Sequence, residues 1–192
     1  MKKRNVMIIG AGGIGSFLIP LLNRTKLYNL TVYDPDIVEE KNMTYQNFKL
    51  SDLNDKKVFA VANSCEETNK EILNPQPFVV LTANQLKGYD LVICCADNLD
   101  IRRTMYNAKG LKWLDLRAQG RNGAMISHLE DPKLYSTFTT GPDGSFSCQG
   151  DSWEGDASGV HFMQVVIAGY GAQWTQRWFN GEEVKKHFTI NG

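Results

Sequence analysis

The stretch Val6–Ser16, VMIIGAGGIGS, decides the fold. Four apolar residues run into a glycine-rich turn, and the turn runs into the apolar-periodic segment Ile14–Leu22. A strand, a GxGxxG turn and a helix start, in that order, form the phosphate-binding corner of a nucleotide-binding α/β domain. The glycines have separable tasks in such a corner. Gly10 permits a tight exit from the strand, Gly12 lets backbone approach a phosphate, and Gly15 lets helix pack on sheet. The free N–H groups at the helix start, around Gly12, Gly13 and Ile14, then make an anion site. Glycine turns are common, so the motif gains its weight from the strand before it, the helix after it and the acid that closes the next strand.

Outward from that corner, Asn29–Tyr33 reads as a second strand ending in Asp34-Pro35-Asp36. An acid at this place accepts hydrogen bonds from ribose hydroxyls, with Asp36 the expected ligand and Asp34 its rival; the geometry serves NAD and ATP alike. A loop, Ile37–Leu50, carries Asn42, Tyr45, Gln46 and Asn47. Ser51 or Asp52 is expected to cap a helix in which Val58, Val61, Ala62 and Cys65 share a face, with Lys57 beside that stripe and Asn74-Pro75 ending it. Phe78–Ala83 is read as a strand, and Asp90–Cys95 as a central one because it is apolar throughout. The latter places Asp97 and Asn98 at a strand's carboxyl end, where open α/β sheets put ligands. The same Asp-Asn pair also suits a helix N-cap. The helix Leu99–Ala108 closes at Gly110, and Trp113–Leu116 is a further strand. Gly123–His128 and Tyr135–Thr140 lack helices between them and read as antiparallel strands. Gly141–Ser158 reads as a loop, Val160–Phe179 as a buried helix stopped by Gly181, and Val184–Ile190 as a last short strand. The expected architecture is α/β: a Rossmann-like, mainly parallel sheet flanked by helices, with an antiparallel C-terminal extension, in one domain over residues 1–192.

Composition narrows the function. With 21 Lys+Arg against 21 Asp+Glu in 192 residues, no positive field draws nucleic acid or membrane. No apolar run of roughly 18 residues exists, and the run after MKKR is too short for a secretory signal. The four cysteines, Cys65, Cys94, Cys95 and Cys148, have no disulfide-framework spacing, which reads as a reduced, cytoplasmic protein. His128, His161 and His187 have no metal-ligand spacing.

Together, the glycine loop, Asp36, Asn42, Gln46, Lys57 and the run CCADNLDIRRTMYN resemble the ThiF/MoeB/HesA adenylyltransferases, whose fold is shared with ubiquitin-activating enzymes. The family's GxGGxGS loop is matched by Gly10–Ser16, and its aspartate followed by an Asn-x-x-Arg-Gln element by Asp36 with Asn42 and Gln46. Its DxGxxK turn is matched by Asp52–Lys57, and its D-N-x-x-x-R helix start by Asp97, Asn98 and Arg102. The resemblance implies that Asp36 binds ribose, Lys57 contacts the triphosphate, Asp97 holds Mg²⁺ on the ATP phosphates, and Arg102 contacts nucleotide. It implies ATP-dependent activation of a carboxylate, typically the Gly-Gly terminus of a small ubiquitin-fold carrier, by a homodimer. Three features depart from the pattern. Tyr45 stands where the family has arginine, the helical segment that often precedes the first strand does not precede it here, and the Cys-x-x-Cys pairs that hold zinc in many members are missing, so no zinc is expected. Two alternatives share the glycine loop and Asp36. They are a non-catalytic nucleotide-binding or scaffold relative and an NAD(P)-dependent oxidoreductase.

Overall fold

The computed structural model describes residues 2–66, 73–139, 149 and 157–192. Seven strands form one sheet in the order β3-β2-β1-β4-β5-β6-β7. The strands are β1 (Arg4–Ile9), β2 (Tyr28–Tyr33), β3 (Asn74–Gln76), β4 (Leu91–Cys94), β5 (Trp113–Gln119), β6 (Asn122–Ser127) and β7 (His187–Ile190). β1 pairs in parallel with β2 and β4, β3 extends β2 in parallel and β5 extends β4 likewise, while β6 and β7 add antiparallel. The expected mainly parallel sheet with an antiparallel C-terminal extension is therefore present.

Alternation along β1 splits the interior in two. Val6 and Ile8 face the larger core with α1 (Gly15–Arg24), α2 (Lys57–Glu66) and α5 (Met163–Phe179). Met7 and Ile9 face the other, with Ile101, Met105 and Tyr106 of α3 (Leu99–Asn107). Val58, Val61, Ala62 and Cys65 of α2 are all buried, as their spacing requires. Covering both faces is what lets β4 and the Val6–Ile9 part of β1 be apolar throughout.

Several local expectations are corrected. Ser51 and Asp52 belong to a 3-10 turn, Leu50–Asp52, and α2 starts only at Lys57, after Asn54 adopts a left-handed φ of 71°. Asn74-Pro75, expected to end that helix, form β3, an edge strand that tolerates proline, and residues 67–72 between lie outside the described residues. Phe78–Ala83 is not a strand. With the edge position taken by β3, its β-branched residues have no partner, and Phe78 and Leu81 are 62% and 74% exposed. Residues 135–139 of the expected strand Tyr135–Thr140 are not a strand either, and Thr140 lies outside the described residues. Asp131 caps α4 (Pro132–Thr137) by accepting from the Lys133 amide at 2.8 Å, and Pro132 fits the first helical turn. That Asp-Pro pair was the overlooked signal.

The Val160–Phe179 segment is helical from Met163 and ends before Gly181, whose φ is +75°. It is not buried all round, because Phe162, Val166 and Tyr170 form an outward stripe. The last strand covers only His187–Ile190 of the expected Val184–Ile190. Most of the loop expected over Gly141–Ser158, with Cys148, lies outside the described residues. Among the described residues no helix is long and apolar enough to cross a membrane.

Candidate functional site

The sheet order reverses direction between β1 and β4, and an open groove of about 1540 Å³ lies at the carboxyl ends of these strands. This is the topological switch point of an open α/β sheet, the usual ligand crevice. Gly10, Gly12, Gly13, Ile14, Asp34, Asp36, Asn42, Gln46, Lys57, Asp97, Asn98 and Arg102 all line it.

Gly10 leaves β1 with φ +96°, and a Cβ there would meet the Ala96 amide nitrogen at 2.8 Å. Gly15 is tightly constrained as well. A Cβ on it would fall 1.9 Å from the carbonyl oxygen of Gly10 at the end of β1, so its smallness lets the start of α1 approach the strand end as well as closing the loop. Gly12 is unconstrained, its nearest neighbour being Gln46 at 3.8 Å. The amides of Gly12, Gly13 and Ile14 have no acceptor among the described residues, which leaves them available to one.

The two acids after β2 separate cleanly. Asp34 is buried and accepts from the amides of Ala11 at 2.7 Å and Asp36 at 2.9 Å, so it ties the glycine loop to the end of β2. Burial pushes its carboxyl above the ordinary value; the Lys57 charge and the two amides oppose this only in part. Asp36 is open, with a side chain 62% exposed, and pairs with Lys57 Nζ at 2.9 Å. Lys57 itself is buried, not a solvated helix lysine.

In the following turn Asn42 serves local structure. Its Oδ1 accepts from the Glu39 amide at 2.9 Å and its Nδ2 donates to the Tyr45 hydroxyl at 3.3 Å. Ser16 and Asn47 clasp this turn to α1, with the Asn47 amide donating to Ser16 Oγ at 3.0 Å. Gln46 differs: it is buried against the groove and its Oε1 has no partner. An orphaned acceptor beside open amides is what a ligand with its own donors would satisfy.

On the other wall, Asn98 is the helix cap. Its Oδ1 accepts from the amides of Asp100 at 2.7 Å and Ile101 at 3.3 Å. This relieves Asp97 of the capping duty that the sequence left open. Asp97 is exposed to the groove, and its carboxylate has no partner among the described residues. No group of three or more His, Cys, Asp or Glu that could hold a metal exists among the described residues. A single carboxylate completed by phosphate oxygens and water suits Mg²⁺, which seldom uses an all-protein cage.

Arg102 pairs with neither Asp97 nor Asp100. Its Nε donates to Asp115 Oδ1 at 3.0 Å. Asp115, fully buried on β5, also accepts from Tyr106 Oη and from Arg117 Nε at 2.9 Å. Burial would raise this carboxyl, but the two guanidinium groups and the phenol outweigh it and hold it below its ordinary value. Two arginines on one aspartate leave one positive charge in excess at this end of the groove. Arg117 Nη1 also donates to the Phe138 carbonyl at 2.7 Å, fixing the end of α4. This network was missed from the sequence, although an aspartate inside the strand Trp113–Leu116 already called for a buried cation. Behind it, burial pushes the Cys94 thiol up to about 11 and the Cys95 thiol well above its ordinary value, so neither is a ready nucleophile.

Such a groove, at the switch point of a mainly parallel sheet flanked by helices, defines an α/β protein of the Rossmann-like class. The chain belongs to the ThiF family, whose model matches residues 1–189. It is 28% identical over 107 residues to the "Adenylyltransferase and sulfurtransferase UBA4" of Yarrowia lipolytica, covering 53% of this chain and 27% of that protein. It is 30% identical over 129 residues to the "Ubiquitin-like modifier-activating enzyme 5" of Branchiostoma floridae, covering 57% and 32%. The chain thus spans about a third of the length of the curated relatives it matches. The E. coli MccB crystal structure superposes with a TM-score of 0.74 at 15% identity, covering all of this chain and 60% of MccB. PaaA gives 0.72 at 15% identity over 98% of this chain and 60% of PaaA. At that identity the likeness is one of fold.

Proposed function

We propose that this chain is an adenylylating domain that binds ATP with Mg²⁺ and activates a carboxylate, giving an acyl-adenylate and pyrophosphate. One observation carries the reading. A carboxylate free of structural duty, Asp97, faces the unpaired amides of the glycine loop across one groove. In this reading Asp36 takes the ribose, the amides of Gly12, Gly13 and Ile14 with Lys57 take the phosphates, and Gln46 Oε1 accepts from a donor group of the nucleotide. Asp97 holds Mg²⁺, which when bound would neutralise phosphate charge. An attacking carboxylate is anionic and so is its target, so the reaction needs fixed positive charge and N–H dipoles. Lys57, the loop amides and the excess charge of the Arg102–Asp115–Arg117 cluster provide them. Arg102 acts from this cluster, held by Asp115 rather than free. Tyr45 brings a neutral phenol, not a permanent cation, to the same wall.

The substrate class we infer is the C-terminal carboxylate of a small ubiquitin-fold carrier ending in Gly-Gly, in keeping with the names of the curated relatives. Isotope exchange between pyrophosphate and ATP tests it. Exchange that depends on such a carrier and disappears in Asp97→Ala is the expected result. Exchange at background with every carrier, in protein that binds ATP, would favour the non-catalytic nucleotide-binding relative.

A further inference from the structure

We propose that the Lys57–Asp36 ion pair is a discriminator that makes the groove accept a ribose-bearing polyphosphate in preference to a bare one. The inference rests on the nucleotide reading above and adds to it how two recognition elements are coupled.

The lysine has few choices. Its side chain is 9% exposed, against 62% for Asp36, so the ammonium cannot retreat into water as an ordinary helix lysine does. Its backbone is pinned as well. The Lys57 amide donates to the Asp36 carbonyl at 3.0 Å, the Val38 amide to the Asp55 carbonyl at 2.8 Å, and Ile37 bridges Lys56. A buried ammonium needs an anion beside it. The neighbouring carboxylate of Asp34 accepts from the amides of Ala11 and Asp36 and feels the Lys57 charge, but the direct ion pair of Lys57 among the described residues is with Asp36. The remaining candidates are Asp36 and an anion carried into the groove.

A bare polyphosphate that recruits Lys57 must break the 2.9 Å pair and leave the Asp36 carboxylate as an unpaired like charge at its side. A nucleotide escapes that penalty. Its ribose hydroxyls donate to Asp36 in place of the lysine, so the carboxylate keeps donors while the ammonium turns to phosphate. Ribose and phosphate recognition are thereby linked through one ion pair, and the ligand-free pair holds Lys57 away from bare anions.

The test is a double-mutant cycle with Asp36→Asn and Lys57→Met, read as calorimetric affinities for Mg·tripolyphosphate and Mg·ATP. Asp36→Asn is expected to tighten tripolyphosphate by about tenfold, the worth of one charge-assisted hydrogen bond, and to narrow the preference for ATP by a similar factor. In the Lys57→Met background the same change should tighten tripolyphosphate much less, because only the repulsion of the Asp36 charge is then relieved and no ammonium is released. Equal tightening in both backgrounds would mean that only a repelling charge had been removed, and would overturn the proposal. So would no tightening in Asp36→Asn, or a wild type that binds both ligands alike. If Asp36→Asn does not fold, Lys57→Met decides alone, because an unchanged tripolyphosphate affinity would leave the ammonium on Asp36. ATP binding that survives any of these failures preserves the nucleotide reading; loss of all binding by the wild type overturns both.

Discussion

Two buried aspartates show how neighbours decide what a side chain does. Burial raises the Asp34 carboxyl against the charge of one lysine and two amides, whereas two arginines and a phenol outweigh burial and lower Asp115. Removing one partner of a buried ionic cluster strands the rest, so Asp115→Asn should cost about 3–5 kcal/mol, measured by urea unfolding at neutral pH. The sign of its pH dependence follows from the lowered carboxyl. The native state binds fewer protons there than the unfolded chain, so the stabilisation is complete above the unfolded value of 3.8 and is lost as pH falls through the lower native one. The gap between wild type and Asp115→Asn should therefore shrink in strongly acidic solution. A gap that stays constant would mean that Asp115 is not ionised in the native protein. Among the groove residues, Asp36 and Asp97 could be singled out from sequence because strand ends fix where they lie, and Lys57 through its place in the family motif. The duties of Asn98 and Asp34 could not, since an acid or amide after a strand caps, binds or braces according to contacts that only the fold supplies.

At the scale of elements, the glycine loop offers a controlled comparison. Gly15→Ala puts a Cβ 1.9 Å from the Gly10 carbonyl and should disrupt the loop, lowering both the melting temperature and nucleotide binding. Gly12→Ala meets nothing closer than 3.8 Å, so stability should stay within roughly 0.5 kcal/mol while any weakening of nucleotide affinity reports the ligand alone. Equal destabilisation by both substitutions would contradict the division of labour drawn here. In α5, Gly169 has open space where its Cβ would stand, and Gly169→Ala should stabilise the protein by about 0.5–1 kcal/mol in thermal unfolding. The long periodic elements, α1, α2, α5 and the apolar strands β1 and β4, were legible because periodicity outweighs context in them. Phe78–Ala83 and Tyr135–Thr140 misled for opposite reasons. The first had strand-forming residues but no partner, and the second had aromatic and β-branched residues after an Asp-Pro helix start.

For the molecule as a whole, the strand order, the switch-point groove and the family membership agree, and all three were implicit in the Gly10–Ser16 loop together with Asp97 and Asn98. The charged cluster at β5 was not, because Arg102, Tyr106, Asp115 and Arg117 come together only when α3 packs on β5. The central claim, that this groove holds ATP through an Asp97-bound Mg²⁺, is tested most directly by thermal unfolding of wild type and Asp97→Ala with ATP, ATP·Mg²⁺ and NAD(H). A ligand at about 100 times its dissociation constant adds about 2.7 kcal/mol to stability. The account predicts that ATP·Mg²⁺ raises the wild-type melting temperature, that NAD(H) does not, and that Asp97→Ala loses the magnesium-dependent part of the rise. Stabilisation by NAD(H) but not by ATP·Mg²⁺, or an undiminished magnesium effect in Asp97→Ala, would contradict it.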